Sequence, residues 1–293
     1  MCIKEFDYYT YLKLIKEFDD SVHIYQCSKN KYLFKQIIDS KKIVLSNEII
    51  SKLNDSNLKD YVDKLYDLLS LNSIEIIPIY SEKYPINLLQ MYMPPLAIFA
   101  FGNIELLNTK LPKIYSYFNK SFSYYGLKVY TAFTNYILEK NCINVIHLKE
   151  KHEDLKIFDK YLTNNARSYN PKDTKSFNMF CVKCSIENIC DFVKYISFQK
   201  DEVLKNIDIS KNIFIFDLNT EEIVPAIIDT LFIAEAAYKK EIFVISQLAL
   251  EQGKNILVVP GNIYTTTSYF SNYLIKEGAN VLLCKYHLDE FLK

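Results

Sequence analysis

Residues 113–147, KIYSYFNKSFSYYGLKVYTAFTNYILEKNCINVIH, decide the fold. A short apolar run, Lys113–Tyr117, leads into an amphipathic stretch of helix length, Tyr125–Leu138. A second apolar run, Ile143–His147, follows it. Short continuous apolar runs read as strands buried on both faces, and the longer periodic stretch reads as a helix. Strand, helix and strand in that order make the crossover unit of a parallel sheet.

The same pattern extends in both directions. Apolar runs recur at Ile74–Ile79, Leu96–Phe101, Asn178–Val182, Asn212–Phe216, Leu231–Ala234, Asn255–Val259 and Asn280–Leu283, with helix-length stretches such as Leu155–Leu162 between most of them. The expectation is an α/β domain over residues 73–293, built on a doubly wound, mostly parallel sheet. Ligands of such sheets sit at the carboxyl ends of the strands. Residues 1–72 read differently. Tyr8, Tyr11, Leu12, Leu14, Ile15 and Phe18 recur at helical spacing, as do Leu58, Val62, Leu65, Leu68 and Leu69. They predict a small helical domain broken at Ser28-Lys29-Asn30 and Asn54-Asp55-Ser56-Asn57, with Asn57 as the cap of its last helix.

Composition narrows the function. With 293 residues, 49% of them apolar, and 35 basic against 35 acidic side chains, the chain can bury a sizeable core and is not disordered. The longest apolar stretch, Ile223–Tyr238, is too short for a spanning helix and carries Asp229 and Glu235. No basic segment followed by an apolar run opens the chain, so a cytoplasmic protein with free thiols is expected. Charge is uneven: residues 1–110 carry −1, residues 111–200 carry +6 and residues 201–293 carry −5. The middle reads either as ordinary surface variation or as an anion-attracting face.

Each local cluster of reactive side chains also has a plainer role. Cys181-Val182-Lys183-Cys184 with Cys190 lacks a second ligand pair, and Cys181 lies inside an apolar run, so no metal is expected. His147, Glu150, His152, Glu153 and Asp154 form a polar group after a predicted strand from which a metal or acid–base site could be built, but Lys149-Glu150-Lys151-His152-Glu153-Asp154 alternates in sign and reads as a solvated helix entry. The chain has five glycines, none within six residues of another, and no GxGxxG, Walker, GxSxG or HExxH motif. Val258-Val259-Pro260-Gly261-Asn262-Ile263 places a tight turn at the carboxyl edge of the sheet. The hydroxyls of Thr265-Thr266-Thr267-Ser268 then suit either phosphate oxygens or the cap of a helix.

Tyr84-Pro85, Leu88-Leu89, Met93-Pro94-Pro95-Leu96-Ala97-Ile98-Phe99 and Gly102-Asn103 resemble the DprA/Smf family of DNA-processing proteins. That family's pattern there is YP, PPxxLF and GN. Ala249-Leu250-Glu251-Gln252-Gly253-Lys254, Pro260-Gly261-Asn262-Ile263 and Asn272-Tyr273-Leu274-Ile275-Lys276-Glu277-Gly278-Ala279 look like its AxEQGR, VPGNI and NxLIxEGA runs, and Tyr125-Gly126 looks like its YG. The resemblance covers about residues 74–293 and puts all five glycines on matching positions. It also has departures. Phe118-Asn119-Lys120 stands where the family has Gly-Ser-Arg, Thr220-Glu221-Glu222 where it has Arg-Asn-Arg, and Ile146–Glu153 and Lys240–Ile245 keep little of its SGxAxGID and SGSLIT segments.

The resemblance implies a divergent member: a Rossmann-like domain after a SAM-like helical one, without the usual C-terminal winged helix. It further implies a non-enzymatic, homodimeric protein of the cytoplasm that binds single-stranded DNA, protects it and loads RecA in natural transformation, with no cofactor, metal or membrane. Alignment and charge select Lys120, Asn119, Lys113, Lys128, Tyr125, Gly126, Lys239, Lys240 and Asn272 as the DNA-contacting residues. Lysines for phosphates and aromatic faces for bases are the chemistry such binding needs. Two other readings stay open: a scaffold that keeps the frame without binding DNA, and a nucleotide-binding enzyme or sensor using the same crevice.

Overall fold

A computed structural model describes residues 8–18, 21–28, 30–53, 55–117, 122–148, 177–198 and 209–292. The chain opens with five helices: α1 (Tyr8–Phe18), α2 (Ser21–Ser28), α3 (Lys31–Ser40), α4 (Asn47–Leu53) and α5 (Ser56–Leu71). Leu14, Phe18, Ile24, Phe34, Ile38 and Ile43 form the core of α1 to α3, with Leu53 of α4 packed against it. Asn30 caps α3 by accepting the Leu33 N–H at 3.1 Å. The expected cap of α5 is corrected: Asp55, not Asn57, takes that place, because its carboxylate accepts the Asn57 N–H at 2.9 Å and the helix begins at Ser56.

Each of the nine apolar runs holds a strand. These are β1 (Glu75–Pro78), β2 (Ala97–Gly102), β3 (Lys113–Ser116), β4 (Ile143–Leu148), β5 (Phe177–Lys183), β6 (Asn212–Asp217), β7 (Thr230–Ile233), β8 (Asn255–Val258) and β9 (Asn280–Val281). The helices among them are α6 (Tyr124–Leu138), α7 (Ile189–Phe198), α8 (Thr220–Ile227), α9 (Lys240–Glu251) and α10 (Tyr269–Lys276). The expected helix at Leu155–Leu162 lies outside the described residues. One sheet runs in the order β1-β2-β6-β5-β4-β3-β7-β8-β9. β1 and β2 pair antiparallel, and every strand from β6 to β9 along that order runs parallel.

The winding follows from which residues each strand sends to each face. On one face Tyr115, Val145, Cys181, Ile215 and Leu231 pack under α8 and α9 through Ile223, Ile227, Ile242 and Ile245. On the other, Ile114, Phe232 and Leu257 meet Tyr130, Phe133 and Ile137 of α6, with Phe133 stacked on Phe232 at 5.0 Å. Further along that face, Phe180, Phe214 and Phe216 meet Ile189, Phe192 and Val193 of α7, and Leu69 of α5 joins them. The sheet is therefore doubly wound, as the sequence led us to expect.

Strand order also locates a crevice. β3 to β6 progress in one direction, and the chain then returns to lay β7 on the other side of β3. The carboxyl ends of β3 and β7 thus flank the topological switch point, where the connections leave in opposite directions and a cleft opens. Among the described residues no helix is long and apolar enough to cross a membrane.

Phe214 is fully buried, stacked on Phe180 at 4.5 Å and edge-on to Phe192. Truncation to Ala leaves a cavity at the centre of the sheet and should cost about 3–5 kcal/mol, read from the midpoint of a urea unfolding curve.

Candidate nucleic-acid interface

The switch point is occupied by a side chain of the protein itself. Glu235 follows β7 and is only 2% exposed. Its carboxylate accepts four hydrogen bonds: the Ser123 N–H at 2.7 Å, the Ser123 hydroxyl at 2.8 Å, and the Thr267 and Ser268 hydroxyls at 3.1 Å each. Ser123 also caps α6, its Oγ accepting the Gly126 N–H at 3.0 Å. Gly126 is needed here for close approach. A Cβ on it would sit 2.7 Å from the Glu235 Cδ and collide with a carboxylate oxygen. Glycines of dinucleotide folds admit a pyrophosphate to a helix N-terminus in this way; here the same space admits a carboxylate.

A second set of bonds fixes the neighbouring turn. Asn272 of α10 donates to the Gly261 carbonyl at 3.1 Å and accepts the Gly261 N–H at 3.0 Å. The Ala236 N–H donates to the Ser271 hydroxyl at 2.7 Å, and the Ala236 carbonyl accepts the Phe270 N–H at 2.9 Å. The loops after β3, β7 and β8 are thereby tied into one rim. The hydroxyls of Thr267 and Ser268 are spent on Glu235, and Asn272 holds a turn.

The predicted contact residues distribute unevenly around this rim. Tyr125 is about half exposed, and its hydroxyl donates to the Pro260 carbonyl at 3.2 Å. Lys128 is exposed one turn further along α6, with Nζ 4.5 Å from the centroid of the Tyr124 ring, and Tyr124 is 76% exposed. Lys239 precedes the first residue of α9, and the exposed Lys240 is that residue. Gly126 and Asn272 lie at the same edge as packing and turn-holding residues. Asn119 and Lys120 lie outside the described residues. Lys113 is at the opposite edge, because it opens β3 while the rim gathers at the strand's end. It is buried there: its N–H donates to Asp229 at 2.8 Å and its Nζ to the Thr109 carbonyl at 3.1 Å. Burial lowers its pKa, against the pull of Asp229. It is not available to the rim.

Among the described residues the other half of the carboxyl edge carries mostly acidic side chains. Asp217 ends β6, Glu221 and Glu222 lie in the first turn of α8, and Lys183 approaches Glu221 at 3.5 Å. Burial raises the Asp217 pKa. His147, the described member of the polar group read from the sequence, points inward. Its side chain is 1% exposed, with Nε2 2.8 Å from the Thr220 hydroxyl and Nδ1 3.3 Å from Glu241. It joins the starts of α8 and α9 to the sheet. The CxxC pair divides between the two faces, Cys181 toward α8 and α9 and Cys184 toward α7. Burial pushes the Cys181 thiol up to about 12. Among the described residues no three metal-ligating side chains cluster.

Sequence reasoning missed Glu235 as a centre. Its signal was a lone carboxylate between Ala234 and Ala236 at the end of an apolar strand. The contact makes a testable demand. Gly126→Ala should lose about 1–3 kcal/mol through overpacking against Glu235, whereas an unconstrained helix position would gain about 0.5–1 kcal/mol from that change. Urea unfolding distinguishes the two signs.

No family model and no curated protein matches the sequence. Solved structures match the fold, two of DNA processing protein A among them. DNA processing protein A (DprA) from Streptococcus pneumoniae is 16% identical over 93% of this chain and 97% of that one, with a TM-score of 0.57. DNA processing protein A from Helicobacter pylori, whose structure concerns its single-stranded DNA binding mode, is 15% identical over 75% of this chain and 95% of its own, with a TM-score of 0.54. In its fold the chain is DprA-like, a divergent sequence on the architecture of these two proteins.

Proposed function

We propose that this chain is a DprA-like single-stranded DNA-binding protein, acting by binding and not by catalysis, with the β3–β7–β8 half of the carboxyl edge as its contact surface. One observation carries the reading: Tyr124 and Tyr125 stand exposed at the first turn of α6 with the Lys128 amine against the Tyr124 ring. An exposed aromatic face beside a cation offers a base a surface to stack on and its phosphate a counter-charge. Lys239 and Lys240 add to this. Cations at a helix N-terminus oppose the macrodipole and cost stability, but there they act with the dipole on a bound anion. Asn119 and Lys120 belong to the same proposed surface. The residues proposed to divide the chain are 1–72 and 73–293.

The finer parts of the role follow from this reading: a homodimer in the cytoplasm that covers incoming single strands and hands them to RecA. A scaffold without DNA binding is the second reading, favoured by Asp217, Glu221 and Glu222 on the same edge, which repel phosphates. The nucleotide-binding reading is disfavoured, because the Glu235 carboxylate fills the crevice a phosphate would enter.

Fluorescence anisotropy with a single-stranded oligonucleotide tests the proposal. Binding should fall steeply as salt rises, and Lys128→Glu combined with Lys240→Glu should weaken it by tenfold or more. Tyr124→Ala with Tyr125→Ala should weaken it too, at roughly 1–3 kcal/mol per stacked base. Absence of binding at low salt by the folded protein would leave the scaffold reading.

A further inference from the structure

The α6 N-terminus at a switch point is where folds of this class seat a phosphate, and here the seat already holds an anion. Two separate segments converge on it: Ser123 gives an N–H and a hydroxyl, and the 267–268 turn gives two hydroxyls. The carboxylate between them is almost completely buried and has no Lys, Arg or His partner among the described residues. Four donors without a cation are the coordination that protein sites give to an oxyanion, and the missing Cβ of Gly126 provides the space for it.

We propose that Glu235 is a built-in ligand: its carboxylate occupies a phosphate seat, determines that the crevice rejects nucleotide and terminal phosphates, and leaves only the exposed rim for anions. The inference stands independently of DNA binding. It concerns the inside of the crevice, and a chain that never met DNA would still hold the seat. Replacing Glu235 by Ala removes the internal anion but keeps the Ser123, Thr267 and Ser268 donors, so the emptied seat should accept an oxyanion from solution.

The test uses the full chain and inorganic phosphate. Thermal unfolding of Glu235→Ala should shift upward with phosphate in a saturable manner, while chloride at equal ionic strength produces no such shift. The wild-type protein should bind phosphate at least tenfold more weakly. Thr267→Val added to Glu235→Ala should weaken the phosphate effect several-fold, which assigns the effect to this seat. If Glu235→Ala fails to fold in phosphate-free buffer, phosphate should restore its folding where chloride does not. The proposal is overturned if phosphate neither stabilises nor rescues the Ala variant, if wild-type protein binds it equally well, or if Thr267→Val leaves the effect unchanged.

Discussion

A carboxylate buried at the end of a strand must be surrounded by donors, because an ion left unpaired in the interior costs several kcal/mol. Much of the upper half of this sheet is arranged around that requirement. Glu235 draws Ser123 from the loop after β3 and Thr267 and Ser268 from the loop after β8, while its own segment follows β7. Three connections that share no sequence neighbourhood are thereby held at one edge. Asn272 and Ser271 tighten the same arrangement through Gly261 and Ala236. Gly126 follows as a consequence, since the first turn of α6 can approach the carboxylate only without a side chain.

The strands were legible because the central ones, buried on both faces, leave unbroken apolar runs, and each of the nine runs holds a strand, although both residues of β9 at the sheet's edge are exposed. Direction was legible where a helix joins two strands, which makes the pair parallel, but no such connection marks β1 and β2, so their antiparallel pairing emerged only from the register. Lys113 shows the same limit. In sequence it lies close to Tyr117 and Tyr125, but a strand separates it from the rim, and at the amino end it is absorbed by Asp229 and a carbonyl. Charge read along a sequence ignores which end of a strand a residue occupies. Glu235 was hidden for a related reason: its donors come from 112 and 32 or 33 residues away, distances at which no spacing rule operates.

The rim that results is divided in charge. Lys128, Lys239 and Lys240 accompany exposed tyrosines around β3, β7 and β8, while Asp217, Glu221 and Glu222 gather beyond β5 and β6. On the proposed reading, a polyanion meeting the described part of this edge would be attracted at the lysines and repelled at the carboxylates, without base-specific contacts. The buried seat within the rim adds nothing to that attraction, because its donors are already engaged.

Hydrogen exchange of the full chain with and without a single-stranded oligonucleotide locates the contact surface. New protection is expected at residues 122–128 and 236–241, with none around Lys113 and Asp229 at the opposite edge. Protection confined to that amino-terminal edge, or no change anywhere under conditions where the oligonucleotide is bound, would contradict that location.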